Sequence, residues 1–114
     1  MGTFNQDLIK NQEEFFGPLY DYIIDDEITD VDWNGRELWL TYIGGKREKI
    51  VQNSITPAFA EKFSLRTADL LKIIFDCSYP VMHADMNRFC ISFIHNSITP
   101  PGIENCFFIR KFPK

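Results

Sequence analysis

The chain has 114 residues, a formal net charge of −4 and a pI of about 5.1, with 45% hydrophobic and 25% charged residues. This length predicts a single domain over residues 1–114, with enough chain to bury a core. The acidic balance argues against nucleic-acid binding, which needs a basic surface over the phosphates. The sequence has no apolar run of about 18 residues and no basic-then-apolar start, so we predict neither a membrane-spanning helix nor a secretory signal.

The N-terminal region is predicted to be helical from Asn5 to about Ile24, because apolar residues recur at steps of three and four. Thr3 and Asn5 are the candidate caps of its first turn. Gly17-Pro18 divides the region into two helices, since proline disfavours a helical residue before it but suits the first turn of a new helix.

A meander of three antiparallel strands is predicted next. Ile28–Trp33 alternates apolar and polar residues, and Asn34-Gly35 is a strong signal for a tight hairpin turn with positive φ at both positions. Glu37–Ile43 is the predicted return strand, and Gly44-Gly45 leads to a third strand over Lys46–Val51. Trp33 and Trp39 flank the first turn, so we expect their rings to pack across the two strands.

The second half of the chain is predicted to form a helix followed by two or three strands. The helix begins at Pro57 with Thr56 as its cap and continues to about Asp76, with a break near Ser64. The stretch from Tyr79 to Lys111 supplies the remaining strands. Strand runs separated by one helical block predict an α+β fold, with an antiparallel sheet of about five to six strands and helices on one face.

Two arginines, Arg88 and Arg110, lie at the ends of apolar strands in this last stretch. Arginine presents a planar, permanently charged fork, so two of them on one sheet edge predict a site for phosphate or carboxylate. The sequence has no phosphate loop to complete such a site: Gly45-Lys46 is the one Gly-Lys pair, and Arg47 stands where that motif needs Ser or Thr. We predict no catalytic residue and no metal site.

The histidines and cysteines carry little further signal. His83 and His95 are predicted to be hydrogen-bonded structural residues, and the three cysteines to be reduced, mostly buried thiols of a cytoplasmic protein. A Cys–His nucleophilic pair needs a third, orienting group. A small cysteine-dependent enzyme therefore remains a minor alternative.

Three segments, taken in order, resemble a known domain family. They are Asp25–Gly35, then Pro80–Arg88 with Ile94–Thr99, and finally Phe108–Phe112 with its Ile-Arg-Lys-Phe ending. Their order and spacing are similar to those of the N-terminal domain of type II/IV secretion ATPases, in the branch that serves tight-adherence pili and conjugation. The resemblance covers roughly Phe15 to Lys114.

This resemblance implies a two-layer, PAS-like α+β domain that precedes a RecA-like motor domain carrying the phosphate loop. In the family, six subunits form a ring, and ATP with Mg binds between the two domains, where arginines of the N-terminal domain reach the phosphates. Arg88 and Arg110 match those arginines. The implied parent is an ATPase, whereas this chain alone is expected to hold no cofactor and to hydrolyse nothing.

The implied partners are the motor domain of the same chain, neighbouring subunits of a hexameric ring and membrane secretion components. The implied location is cytoplasmic, or peripheral at the inner face of the cell membrane. A hinge at Lys111-Phe112-Pro113 would couple closure over the nucleotide to the ring. The alternative is a free-standing PAS-like module for ligand sensing or protein interaction, because a fold does not fix a function.

Overall fold

The computed structural model of the protein describes residues 12–51, 54–85, 88–103 and 105–112. The helical elements are α1 (Gln12–Phe16), a 3-10 turn (Gly17–Leu19), α2 (Tyr20–Ile24), α3 (Pro57–Leu71) and a second 3-10 turn (Asn96–Ile98). The strands are β1 (Ile28–Trp33), β2 (Leu38–Tyr42), β3 (Arg47–Ile50), β4 (Val81–Asp85), β5 (Phe89–Ile94) and β6 (Cys106–Lys111). The predicted helix start at Asn5, the cap at Thr3 or Asn5, and Pro113 lie outside the described residues.

The strands form one six-stranded sheet in the order β3-β2-β1-β6-β5-β4. Every neighbouring pair is antiparallel. The last strand of the chain therefore lies in the middle of the sheet, between β1 and β5. The predicted α+β fold with a mainly antiparallel sheet is confirmed.

The helices pack on one face of this sheet through a cluster of aromatic rings. The ring of Phe63 on α3 lies 5.3 Å from that of Phe93 and 5.4 Å from that of Phe107, measured between centroids. Phe16 on α1 lies 5.5 Å from Phe89. Edge-to-face pairs of this kind add to the stabilisation that burial itself provides. Helices from both halves of the chain thus cover the same sheet face, as predicted.

The joint predicted at Gly17-Pro18 is present. Gly17 has a φ of 54°, which glycine adopts without the penalty that a Cβ would bring. Pro18 lies in the first turn of the 3-10 segment that connects α1 to α2. The chain therefore changes direction here, and Phe16 and Leu19 on either side are fully buried.

Helix α3 begins as predicted but ends earlier. Its cap is the Thr56 hydroxyl, which accepts a hydrogen bond from the Phe59 N–H at 3.0 Å. The helix ends at Leu71, because Lys72 takes a left-handed conformation with φ 58°; the predicted end at Asp76 was wrong. The predicted break at Ser64 was also wrong: its buried hydroxyl donates to the Glu61 carbonyl at 2.8 Å within an unbroken helix.

The first hairpin turn is longer than predicted. Four residues separate β1 from β2. Gly35 has a φ of 95°, whereas Asn34 does not take a positive φ. Instead, the Asn34 side-chain oxygen accepts from the N–H groups of Arg36 at 3.0 Å and Glu37 at 2.8 Å. The side chain closes the loop by itself, so the two-residue turn is not needed.

The predicted packing between Trp33 and Trp39 was wrong. Trp33 is paired with Leu38 and is buried under the helices, whereas Trp39 is paired with Asp32. Successive side chains of a strand point to opposite faces, and this register places the two indoles on opposite sides of the sheet.

Candidate functional site

The face of the sheet that points away from the helices is polar. We call it the open face, and within the described residues it is formed by the half-buried and exposed side chains of Asp30, Asp32, Trp39, Thr41, Arg47, Lys49, Val81, His83, Asp85, Cys90, Ser92, Ile94, Cys106, Phe108 and Arg110. Two ion pairs lie on it, Asp30 with Arg110 and Asp32 with Arg47.

The strand register brings the two predicted arginines to one corner of this face. Arg110 on β6 lies directly opposite Cys90 on β5. The Phe112 N–H donates to the Arg88 carbonyl at 2.8 Å, which extends the same ladder one residue beyond β5. Arg88 lies at the bend two residues before Cys90, so its backbone is diagonal to that of Arg110 across the β5–β6 ladder. We call Arg88, Cys90, Arg110 and Asp30 the arginine corner.

Arg110 is held in place by two neighbours. Its Nε donates to Oδ1 of Asp30 at 3.0 Å, and Asp30 is its direct partner across the β1–β6 ladder. Its guanidinium carbon lies 5.4 Å from the centroid of the Phe108 ring, within the range of a cation–π contact. The Arg110 side chain is 58% exposed and that of Asp30 is 14% exposed. The base of the guanidinium is thus anchored while much of the side chain faces solvent.

Arg88 is arranged differently. It lies at a bend just before β5 and is exposed. Among the described residues, it takes part in no ion pair. The corner therefore combines one anchored arginine with one that has no ion-pair partner within the described residues, and both belong to the type of side chain that binds phosphate oxygens in pairs.

The thiols near the open face are poor nucleophiles. Burial raises the pKa of Cys90, as do its hydrogen bond to Oδ1 of Asp85 at 3.3 Å and the charge of that carboxylate, while Arg110 opposes the shift. Burial also raises the pKa of Cys106, with a smaller effect from Asp32. Reactive cysteines need a lowered pKa, so the geometry gives no support to a cysteine-dependent enzyme.

All three cysteines are free thiols, but the expectation that they are mostly buried was wrong. Cys77 is exposed, and Cys90 and Cys106 are half-buried. The last two lie on the open face, on the side of the sheet away from α1, α2 and α3. Strand parity, and not hydrophobicity, decides their exposure.

The two histidines make local polar contacts, as predicted. Nδ1 of His83 lies 3.0 Å from Oγ of Ser92, its cross-strand partner. Nδ1 of His95 accepts from the Ser97 N–H at 3.1 Å, and its ring meets that of Phe75 edge-on at 5.4 Å. His83 therefore contributes to the pairing of β4 with β5, and His95 contributes to the turn after β5.

A second ion pair on the open face involves Asp32. Nη2 of Arg47 donates to Oδ2 of Asp32 at 3.0 Å, and the Arg47 guanidinium lies 4.6 Å from the Trp39 ring centroid. Burial nevertheless raises the pKa of Asp32, with a smaller contribution from the charge of Asp30, because desolvation outweighs the attraction of Arg47.

We expect Asp32→Asn to leave the free energy of unfolding at about pH 7 unchanged or slightly higher, by less than about 1 kcal/mol. As pH falls, the folded protein binds the Asp32 proton before the unfolded chain does, since the folded pKa lies above the model value of 3.8. The wild type should therefore gain stability relative to the variant in the pH window just above that value. Urea unfolding of both proteins along a pH series measures this difference.

Glu61→Gln, on the exposed side of α3, is the control for removing one carboxylate. A wild type that loses stability relative to Asp32→Asn on acidification would contradict the raised pKa of Asp32.

Lys111, which the sequence indicated only as part of a hinge, connects the end of β6 to the end of α2 through hydrogen bonds. Its Nζ donates to the carbonyls of Tyr22 at 2.9 Å, Ile23 at 3.1 Å and Asp25 at 2.6 Å. The last carbonyls of a helix have no partner within it, so the ammonium satisfies those of Tyr22 and Ile23, whereas the Asp25 carbonyl also accepts from the Ile28 N–H at 3.1 Å. Burial lowers the pKa of Lys111, although Asp25 and Asp26 oppose the shift. Three acceptors call for three N–H donors, which the charged form supplies.

No group of three or more His, Cys, Asp or Glu side chains is placed to hold a metal ion within the described ranges. No helix in the same part of the chain is both long enough and apolar enough to cross a membrane.

Comparison with known proteins gives a match among solved structures. Neither a protein-family model nor a curated protein matches the sequence. Among solved structures, 90% of the chain superposes on the VirB11 ATPase of the Brucella suis type IV secretion system, crystallised with sulphate, with a TM-score of 0.75 and 20% identity. The fold resembles part of a secretion ATPase. This chain spans 31% of the VirB11 chain, and at this identity the likeness establishes the fold alone.

Sequence reasoning found the two arginines but missed Asp30 and Phe108, the groups that hold Arg110. The period-two pattern of β1 does place Asp30 on the polar side of the strand, which is a usable signal. No local pattern shows that Asp30 faces Arg110, because the pairing joins residues 80 positions apart. Phe108 lies in an apolar run that predicts burial, yet its ring lies on the open face beside Arg110.

Proposed function

We propose that this chain is the N-terminal regulatory and ring-assembly domain of a secretion or conjugation traffic ATPase. The observation that carries the proposal is the fold shared with the VirB11 ATPase over 90% of this chain and 31% of that one. A domain of this relative size leaves most of such a protein for a motor domain. The sequence resemblance over Phe15 to Lys114 independently points to the same family.

In this proposal the arginine corner is half of a nucleotide site. The motor domain holds ATP with Mg, and Arg88 and Arg110 approach its phosphates when the two domains close. Arginine forks bind phosphate oxygens in pairs and stabilise the charge that develops during phosphoryl transfer. The exposed Arg88 and the anchored Arg110 give the corner two cations for this purpose.

The position of β6 suggests how the site would communicate with the rest of the protein. Arg110 lies near the end of a central strand, and Lys111 and Phe112 follow it directly. A change in the direction of the chain after Phe112 would therefore shift the position of Arg110 in the arginine corner. The proposed partners are the motor domain, the neighbouring subunits of a hexameric ring and membrane secretion components, with the protein in the cytoplasm or peripheral at the inner face of the membrane.

The first test is the coding sequence beyond Lys114. We expect a G-x-x-x-x-G-K-[ST] phosphate loop that follows a predicted strand within about 100 residues. A stop codon directly after Lys114 would contradict the proposal that this chain is part of an ATPase.

The second test is ATP turnover of the full-length protein. We expect Arg88→Ala and Arg110→Ala each to lower the turnover by roughly 10–100-fold, because each removes a preorganised cation from the phosphates. Circular dichroism should match the wild type in both variants, since both side chains are exposed, but Arg110→Ala should unfold at a lower temperature than Arg88→Ala, because it removes the ion-pair partner of the largely buried Asp30. Arg47→Ala is the matched control: it removes an arginine ion pair from the β3 edge of the same sheet and should leave the turnover unchanged. Wild-type turnover in both corner variants would remove the phosphate role.

A further inference from the structure

Asp30 lies in the arginine corner but cannot itself bind an anion, so its place there needs an explanation. Its carboxylate is well buried for a charged group, with 14% of the side chain exposed. One oxygen accepts from Nε of Arg110 at 3.0 Å, and the other accepts from the Thr29 hydroxyl at 3.3 Å. Both oxygens therefore have partners, which fixes the orientation of the carboxylate.

The backbone of β1 contains a β-bulge next to Asp30. The pairing of β1 with β2 shifts by one residue between Ile28 and Asp30, so Thr29 is an extra residue in the ladder. Such bulges redirect neighbouring side chains and increase the local twist. The single Thr29 hydroxyl proton is shared between Oδ2 of Asp30 and the Thr41 carbonyl, which lies 3.2 Å from the hydroxyl oxygen and connects the bulge to β2.

Asp30 bonds Nε of Arg110 and not one of its terminal nitrogens. The bond is to Nε, at the base of the guanidinium, whereas the other arginine pair of this face uses a terminal nitrogen: Nη2 of Arg47 bonds Asp32. A carboxylate bonded to a terminal nitrogen occupies the part of the group that would bind a ligand. A carboxylate bonded to Nε fixes the plane of the guanidinium and leaves both terminal nitrogens for another acceptor.

We propose that Asp30 is a positioning residue that holds Arg110 by its Nε and presents the terminal nitrogens of Arg110 to a phosphate group. This inference rests on the function proposed above. The Phe108 ring, 5.4 Å from the guanidinium carbon, supports the same orientation. Holding a ligand-binding side chain through a fixed neighbour reduces the entropy lost on binding, as it does for ligands of metal ions.

The geometry can be tested on the 114-residue chain by the Nε–H resonance of Arg110 in nuclear magnetic resonance spectra, assigned by its loss in Arg110→Lys. We expect this proton to exchange slowly with water in the wild type and rapidly in Asp30→Ala and Asp30→Asn. Asp30→Glu, which keeps the carboxylate, should restore part of the protection. Asp32→Ala, one rung away and paired with Arg47, is the control and should leave the resonance unchanged. A resonance that is equally protected in Asp30→Ala and the wild type overturns the proposal.

The role is tested by a double-mutant cycle on ATP turnover in the full-length protein, with folding checked by circular dichroism. Asp30→Ala should lower kcat/KM for ATP between about threefold and tenfold, less than Arg110→Ala, and should have no further effect in the Arg110→Ala background. Asp30→Glu should recover part of the loss, and Asp32→Ala should match the wild type.

The two proposals fail in different ways. Equal losses from Asp30→Ala in the wild-type and Arg110→Ala backgrounds would show that Asp30 acts independently of Arg110, and would overturn the positioning role alone. Wild-type turnover of Asp30→Ala beside an impaired Arg110→Ala would do the same. Wild-type turnover of Arg110→Ala would remove the nucleotide role of that arginine, and with it the reason for Asp30 to present it.

Discussion

Replacing Phe63 by alanine is expected to lower the free energy of unfolding by about 3–5 kcal/mol, the largest effect of any single change proposed for this chain. Phe63 is 0% exposed and lies at the centre of the layer between the helices and the sheet. The rings that contact it are those of Phe15, Phe16, Phe59, Phe93 and Phe107. Alanine would leave a cavity lined by rings from both halves of the chain, which cannot collapse without moving a strand or a helix.

Urea unfolding followed by far-ultraviolet circular dichroism measures this loss. Leu65→Ala on the same helix is the control, because Leu65 is 53% exposed and its removal should cost much less. Phe63→Leu keeps most of the side-chain volume and should fall between the two. If Phe63→Ala and Leu65→Ala had equal midpoints, α3 would not pack on the sheet as described.

Replacing Lys111 by methionine is expected to lower the free energy of unfolding by about 1.5–3 kcal/mol, the usual range for hydrogen bonds that involve a charged group. Methionine keeps the apolar part of the side chain but leaves the carbonyls of Tyr22, Ile23 and Asp25 without their ammonium donor. The loss should be concentrated where α2 meets β6. Hydrogen exchange should therefore show faster opening of Tyr20–Ile24 in the variant than in the wild type.

Lys49→Met is the matched control, since it also removes one positive charge from a strand. Lys49 pairs with Glu37 at 3.3 Å on the surface, and both side chains are largely exposed. Exposed pairs of this kind contribute between about 0 and 1 kcal/mol. Equal destabilisation by Lys49→Met and Lys111→Met would mean that the effect comes from net charge and not from the three carbonyl contacts.

Much of the fold follows from local sequence patterns. The alternation in Ile28–Trp33 places Val31 and Trp33 in the core and Asp30 and Asp32 on the polar side, as the structure confirms. The Thr56-Pro57 pair marks the start of α3, and Gly17-Pro18 marks the joint between α1 and α2. These features depend on neighbours within a few residues, so the sequence alone determines them.

Predictions were wrong where a non-local or finely balanced choice decided the outcome. The end of α3 at Leu71 depends on the left-handed conformation of Lys72, a residue type that gives no such signal. Trp33 pairs with Leu38 and Trp39 pairs with Asp32, so the two indoles lie on opposite faces of the sheet. A two-residue loop would differ from this register by two positions and would leave both indoles on the same faces, so strand alternation alone excludes the predicted contact.

The sequence by itself determined the α+β class, the polar side of β1 and the two arginines at strand ends. The tertiary structure alone decided that β6 lies between β1 and β5, which brings Arg110 beside Asp30 from 80 positions away and places it diagonal to Arg88. The physical reason is that strand order is set by burying one sheet face under the helices, a property of the whole chain. Local patterns predict which side chains lie on each face of a strand. The order and register of the six strands determine which of these side chains are in contact.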